Sequence, residues 1–224
     1  MNLRFLFSTF LTLGVLATPA WGAAPGRPNV LFIMADDLGY GDLGCYGCED
    51  IRTPNLDRMA AEGVLFKRTY MPAPVCSACR SAIITGVMQT TTGTHLHRSS
   101  RWPKGPVPEK HRIHLPDGLS TIPELMRDAG YFTFNVGKSD YNFTEAEGGI
   151  YAKISKQNTK RPWRDTPKGK PFFLYFAATA VHEPVMPSKG VAGSGGAGAY
   201  TDFIRDLDRT VERLLGAIEE RHRV

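Results

Sequence analysis

Hydrophobic positions in this chain form two patterns. Asn29-Val-Leu-Phe-Ile-Met-Ala35 and Lys170-Pro-Phe-Phe-Leu-Tyr-Phe-Ala-Ala178 are unbroken apolar runs. A short run without polar alternation reads as a strand covered on both faces. Tyr131 to Val136 and Val64 to Tyr70 are the further predicted strands. The second pattern is helical. Thr53-Pro-Asn-Leu-Asp-Arg-Met-Ala-Ala-Glu-Gly63 places an N-cap residue, a proline at the first helical position and a terminating glycine in order. Ser120 to Gly130 repeats that arrangement, and a helix is expected from about Cys79 to Thr85. Tyr200 to Arg221 carries Phe203, Ile204, Leu207, Val211, Leu214, Leu215 and Ile218 on one face, an amphipathic helix. Val191 to Ala199 is a Gly/Ala/Ser loop with no packing signal.

Apolar strands alternating with helices predict an α/β fold, a mostly parallel sheet sandwiched by helices. Ligand chemistry in such sheets gathers beyond the C-terminal ends of the strands. Asp36, Asp37, Lys138 and His182 all fall at such ends. Adjacent carboxylates there are oxygen ligands suited to a hard divalent cation, Ca²⁺ or Mg²⁺, or else loop caps. A cation, an arginine, a lysine and a histidine converging on one nucleophile would stabilise a tetrahedral oxyanion such as sulfate or phosphate.

Composition narrows this picture. The 224 residues are 42% apolar and 22% charged, ordinary for a globular protein, with a net charge of +5. The positive charge is dispersed, and no basic stripe interleaved with aromatics points to nucleic acid. Met1-Asn2-Leu3-Arg4, the apolar Phe5 to Ala17 and Ala20-Trp21-Gly22 read as a signal peptide over residues 1–22, hence an exported, periplasmic or extracellular protein. That run falls short of the ~20 residues of a membrane span. Export also permits disulfides. Cys45-Tyr-Gly-Cys48 and Cys76-Ser-Ala-Cys79 are two C-x-x-C pairs, open to disulfide, zinc thiolate or nucleophile readings. Zinc is disfavoured because Cys76 and Cys79 lead into an apolar helical start rather than a polar turn.

The segment NVLFIMADDLGYGDLGCYG, the helix TPNLDRMAAEG and the stretch CSACRSAIITG together resemble the N-terminal half of a type I sulfatase, of the alkaline-phosphatase-like superfamily. GYFTFNVGKSDYNF, PFFLYFAATAVHEP and YTDFIRDLDRTVERLLGAIEE extend the resemblance from about Arg27 to the end. The resemblance implies that Cys76 is converted by a maturation enzyme to formylglycine, whose hydrate attacks sulfur and then expels sulfate by re-forming the aldehyde. It implies Asp36, Asp37 and the modified Cys76 as metal ligands. Arg80 would hold the diol, Lys138 and His182 would contact the sulfate ester, and His95 would lie near the diol, with His97 close by. The implied substrate is a sulfate ester, with a sulfated glycan as one class.

Two departures stand out. Gly137-Lys138-Ser139-Asp140 replaces the Gly-Lys-Trp-His of many relatives, with Asp140 where a histidine partner is usual. The chain also ends at Val224, before the Ser-Asp-Asn-Gly segment that completes the family's metal site, so residues 27–224 are expected to be an incomplete N-terminal catalytic portion of reduced activity. The competing expectations are a phosphodiesterase or phosphonate hydrolase of the same superfamily, and a secreted pseudoenzyme or binding protein whose Cys76 stays unmodified. Asn142-Phe-Thr144 is a glycosylation sequon.

Overall fold

The computed structural model describes residues 26–97, 108–145, 149–155, 166–167, 169–194 and 196–222. The expected signal peptide lies outside them. Among the described residues four strands form one sheet: β1 (Val30–Met34), β2 (Phe132–Gly137), β3 (Lys153–Ser155) and β4 (Phe172–Ala177). Their spatial order is β1-β4-β2-β3 and every pairing is parallel. Central β4 pairs Leu31 with Leu174 on one side and Phe134 with Leu174 on the other. Both neighbours therefore end level with Ala177, which puts the ends of three predicted strands side by side.

Side chains of β4 alternate between two cores, as its unbroken apolar run requires. Phe173, Tyr175 and Ala177 pack with Met34, Ile84, Tyr141 and Tyr151 on one face. Phe172 and Leu174 pack with Phe134, Val136 and Leu214 on the other. The first face is covered by α2 (Cys76–Thr85), which the short α3 (Gln89–Thr92) follows, and by α4 (Ile122–Asp128), the second by α5 (Ala199–His222). Along α5, Ile204, Leu207, Val211 and Leu214 are buried, while Leu215 and Ile218 lie partly open at the edge of the face.

The two Thr-Pro helices form, but their caps differ. In α4 the Thr121 and Glu124 side chains make the reciprocal capping box. In α1 (Pro54–Glu62) the Thr53 hydroxyl donates to Asp57 Oδ1 instead. The open amides of Asn55 and Leu56 are met by the Asp208 carboxylate of α5, at 3.0 and 2.9 Å. An acidic side chain at a helix N-terminus answers both the unpaired N–H groups and the helix dipole.

Three readings change. Val64 to Tyr70 is not a strand: Val64, Phe66 and Tyr70 are exposed, and the Phe66 and Lys67 carbonyls accept from the Tyr46 and Tyr40 hydroxyls rather than from a neighbouring strand. β-Branched and aromatic content makes a strand only where a sheet edge pairs with it. The helix expected from Cys79 begins three residues earlier, at Cys76. The Gly/Ala/Ser loop also packs: Val191 is buried, and the Gly193 amide donates to Asp202 of α5 at 2.6 Å.

Gly137 closes β2 with φ +97°, and a Cβ built there would lie 2.1 Å from the Ala177 carbonyl oxygen. Only glycine lets the two strand ends approach this closely. Gly137→Ala is expected to destabilise the fold by about 1–3 kcal/mol, seen as a lower urea midpoint at unchanged slope. An unshifted midpoint would show that β2 and β4 part here without cost.

Candidate active site

Four polar side chains meet just beyond the level ends of β1, β2 and β4. Asp36 follows β1, and its backbone continues the ladder through Asp36 N–H to the Ala180 carbonyl (3.2 Å) and Val181 N–H to the Asp36 carbonyl (2.9 Å). Its carboxylate is buried, and Oδ2 receives the Lys138 ammonium at 2.9 Å and the Arg80 guanidinium at 3.3 Å. Burial pushes the Asp36 carboxyl up, but the hydrogen bond from Lys138 and the charges of Arg80 and Lys138 outweigh it. The net result lies below the usual carboxylate range, so Asp36 is an anion at neutral pH.

Arg80 lies one helical turn after Cys76, on the same side of α2. Its side chain is only 1% exposed. Nη1 donates to the Lys138 carbonyl (2.9 Å) and to the Tyr175 hydroxyl (3.2 Å). Tyr175 passes its own proton to Met34 Sδ at 3.1 Å, which fixes its oxygen as the acceptor toward Arg80. Burial favours a neutral guanidinium, but Tyr175 and Asp36 hold its proton more tightly than usual. Nη2 meets Asp36 as an ion pair without hydrogen-bond geometry, and among the described residues Nε has no hydrogen-bond partner. A sealed guanidinium with two donors unmet is uncommon, and it marks a place where an acceptor fits.

Lys138 differs from Arg80 in access. Its side chain is 18% exposed, and Nζ stands between Asp36 and Asp140, the latter at 3.6 Å. Among the described residues, Asp140 and Asp37 are the two non-glycine residues at positive φ, +49° and +61°. Such backbone is sparsely populated and tends to gather at functional sites. Asp37 turns outward, with Oδ2 3.8 Å from His182 Nε2, and both side chains are open to solvent.

At the helix start, Cys76 Sγ lies 3.6 Å from His97 Nε2. It is thus His97, rather than the His95 favoured by sequence, that the fold brings to the sulfur; His95 is exposed in the same loop. All four cysteines are free thiols, and Cys79 is buried, its thiol pushed up by that burial. The sequon also changes meaning. Asn142 is 1% exposed, and Nδ2, the atom a glycan would need, donates to the Thr94 and Leu96 carbonyls. The folded chain does not present it for modification.

Asp36 and Asp37 supply hard oxygen donors, and the cationic contacts to Asp36 both fall on Oδ2. This donor chemistry fits a divalent cation such as Ca²⁺ or Mg²⁺. Among the described residues no group of three or more His, Cys, Asp or Glu side chains is placed to hold a metal ion, so the two carboxylates would form part of a ligand set.

Asp36 also ties stability to pH. Its carboxyl lies lower in the folded chain than in the unfolded one, so its contribution is complete above about pH 4. That contribution is expected to fall away as pH drops below that value toward the folded pKa. Urea midpoints between pH 6 and pH 3 should show a steeper acid loss in the wild type than in Asp36→Asn; equal slopes would remove Asp36 from this role.

Residues 28–164 match the family model described as Sulfatase. The N-acetylgalactosamine-6-sulfatase of Canis lupus familiaris is 31% identical in an alignment that covers 92% of this chain and 50% of that protein. Arylsulfatase A of Bos taurus is 29% identical, covering 91% and 51% respectively. The chain thus spans about half the length of these curated relatives. Among solved structures, Ps i-CgsB in complex with k-i-k-neocarrahexaose superposes with a TM-score of 0.69 at 22% identity, covering 88% of this chain and 56% of that one. Phosphonate monoester hydrolase of Agrobacterium radiobacter gives a TM-score of 0.59 at 16% identity, covering 87% and 60%.

Proposed function

Because the chain belongs to the sulfatase family, we propose that its site hydrolyses sulfate esters, using Cys76 after oxidation to formylglycine. The observation that carries this reading is Arg80: one turn from Cys76, sealed from water, with Nη2 meeting Asp36 only as an ion pair and Nε without a hydrogen-bond partner among the described residues. A cysteine thiol is a poor acceptor for them, whereas an oxygen on residue 76 would suit a permanently charged fork. The hydrated aldehyde of formylglycine would provide a nucleophilic hydroxyl where the thiol now stands.

The roles follow from access and charge. Lys138, part-exposed beside Asp36, would donate to an oxygen of the bound sulfate and stabilise the charge that grows there. His182, open to solvent beyond β4, would contact the ester and can protonate its leaving oxygen. His97, within reach of residue 76, can take the proton that the nucleophile loses. Asp36 and Asp37 would hold the divalent cation, which would supply positive charge on the side of the sulfate they face. His95 would line the mouth of the same loop. Lys138 is drawn to Asp140 where many relatives have a histidine, so the diol here would rely on Arg80 and His97.

The relatives' names and the carrageenan-derived ligand of i-CgsB support a sulfated sugar as substrate. Among the described residues no helix is long and apolar enough to cross a membrane, and the expected signal peptide supports export.

Mass spectrometry of the peptide carrying residue 76, after co-expression with a formylglycine-generating enzyme, tests the reading. Loss of the thiol mass in favour of an aldehyde is expected, followed by turnover of an aryl sulfate in preference to an aryl phosphate. A disulfide at Cys76, or turnover of the phosphate alone, would replace it with the binding-protein or phosphate-ester reading.

A further inference from the structure

The side chain that gathers this site is not one of its charged groups. Asn142 follows β2 by five residues and is buried, 1% exposed. Its backbone N–H donates to Ser81 Oγ at 2.8 Å, and that hydroxyl donates to the Ser77 carbonyl at 2.7 Å, both within α2. Its Nδ2 donates to the Thr94 carbonyl at 3.2 Å and also to the Leu96 carbonyl. A single residue therefore joins three segments: the helix carrying Cys76 and Arg80, the loop carrying His97, and the stretch carrying Lys138 and Asp140.

Among the described residues the loop is otherwise held at Thr94, whose hydroxyl shares a 2.8 Å hydrogen bond with that of Thr92. Thr94 is buried and its amide donates to the Gln89 carbonyl, but Leu96 and His97 are exposed. His97 reaches Cys76 Sγ at 3.6 Å, one residue beyond the carbonyl that Asn142 fixes. Hydrogen bonds to two carbonyls two residues apart set both the position and the direction of the loop. A lone packing contact would set neither.

We propose that Asn142 is a positioning residue, whose buried carboxamide clamps the 94–97 loop so that the His97 imidazole stands over residue 76. This deepens the reading of residue 76 as the nucleophile, but it concerns geometry that exists in the unmodified chain. Asn142 touches no reacting atom; it acts through His97.

The test is therefore made on the thiol, without maturation or turnover. The rate of Cys76 alkylation by iodoacetamide is measured by site-resolved mass spectrometry, with Cys79 followed as the buried reference. An imidazole at hydrogen-bonding distance can accept the thiol proton during attack, so His97→Gln should slow Cys76 by roughly tenfold. Asn142→Ala should slow it by a similar factor, and the double variant should be no slower than either single one, because the two residues serve one contact. Asn142→Asp keeps the volume and removes both Nδ2 donors, so it should behave like Asn142→Ala. Thermal melts show which variants are folded, and Ser81→Ala, which frees the backbone anchor but leaves the carboxamide in place, supplies a milder second route and should slow Cys76 less.

Multiplicative losses in the double variant would assign Asn142 a packing role only, and overturn the proposal. So would wild-type alkylation in folded Asn142→Ala, or an unchanged rate in His97→Gln. Failure of sulfate ester turnover in matured protein would leave these rates, and the proposal, untouched.

Discussion

Arg80→Met is expected to destabilise the chain by about 3–5 kcal/mol, the largest loss of any single substitution in the site. The guanidinium is sealed beneath α2, so its removal is not repaired by water. It leaves the Asp36 carboxylate with one cation instead of two, and deprives the Lys138 carbonyl and the Tyr175 hydroxyl of their donor. Methionine matches the length of the stem, which confines the loss to polar partners rather than to a cavity. Asp36→Asn is expected to cost less, since Arg80 keeps Tyr175 and the Lys138 carbonyl. Urea unfolding of the two variants measures the difference. If Arg80→Met proved as stable as the wild type, the two unmet donors would be the dominant influence, and Arg80 would be a strained group kept for chemistry alone.

That contrast bears on what could be read from residues in order. β1 and β4 were legible because a strand covered on both faces must be apolar throughout, and both runs are. β2, with Thr133 and Asn135 between Phe132, Phe134 and Val136, was legible from its place directly after a capped helix. Their C-terminal ends carried Asp36, Lys138 and His182 into one region for the same reason. Parallel strands in register end level, so residues 36 and 138 meet although 102 positions apart. Val64 to Tyr70 was misleading because strand composition says nothing of whether an edge lies alongside. β3, three residues long and paired with β2, offers too short a pattern to find.

The finer geometry of the site was hidden for a different reason. Sequence could place two histidines, His95 and His97, after the helix that carries Cys76. Which one faces residue 76 depends on the path of a loop whose anchor, Asn142, lies 46 to 48 residues away. Asn142 itself reads in sequence as a sequon, a signal for a surface residue, and its burial reverses that meaning. The cap on α1 is similar: Thr53 is the local choice, but Asp208, more than 150 residues on, takes the amides. A single chemical signal did exist for Arg80. An arginine one turn into a helix start of small and apolar residues that leads into Ile83 and Ile84 lies on a helix that packs against the sheet, and so must find partners.

Lys138→Met is expected to reverse the pattern of Arg80→Met, with a small change in stability and a large one in rate. Lys138 is the cation of the pair that solvent, and hence a substrate, can reach. Its loss leaves Asp36 still facing Arg80, and Asp140 is relieved of nothing deeper than a 3.6 Å contact. The stability cost should stay below that of Arg80→Met, because water can take part of the ammonium's place beside Asp36. Removing one preorganised donor to a developing oxyanion typically lowers kcat by about 10²–10³-fold, and that is the expected loss of sulfate ester turnover in protein matured at residue 76. Lys138→Arg should recover only part of it, because a planar fork cannot occupy the place of a compact ammonium between two carboxylates. Steady-state kinetics beside urea midpoints for the three proteins separates the outcomes. A loss of stability in Lys138→Met as large as that of Arg80→Met, with matured protein still turning over, would make Lys138 a structural counter-ion of Asp36 and leave the sulfate to be held by His182 and the cation.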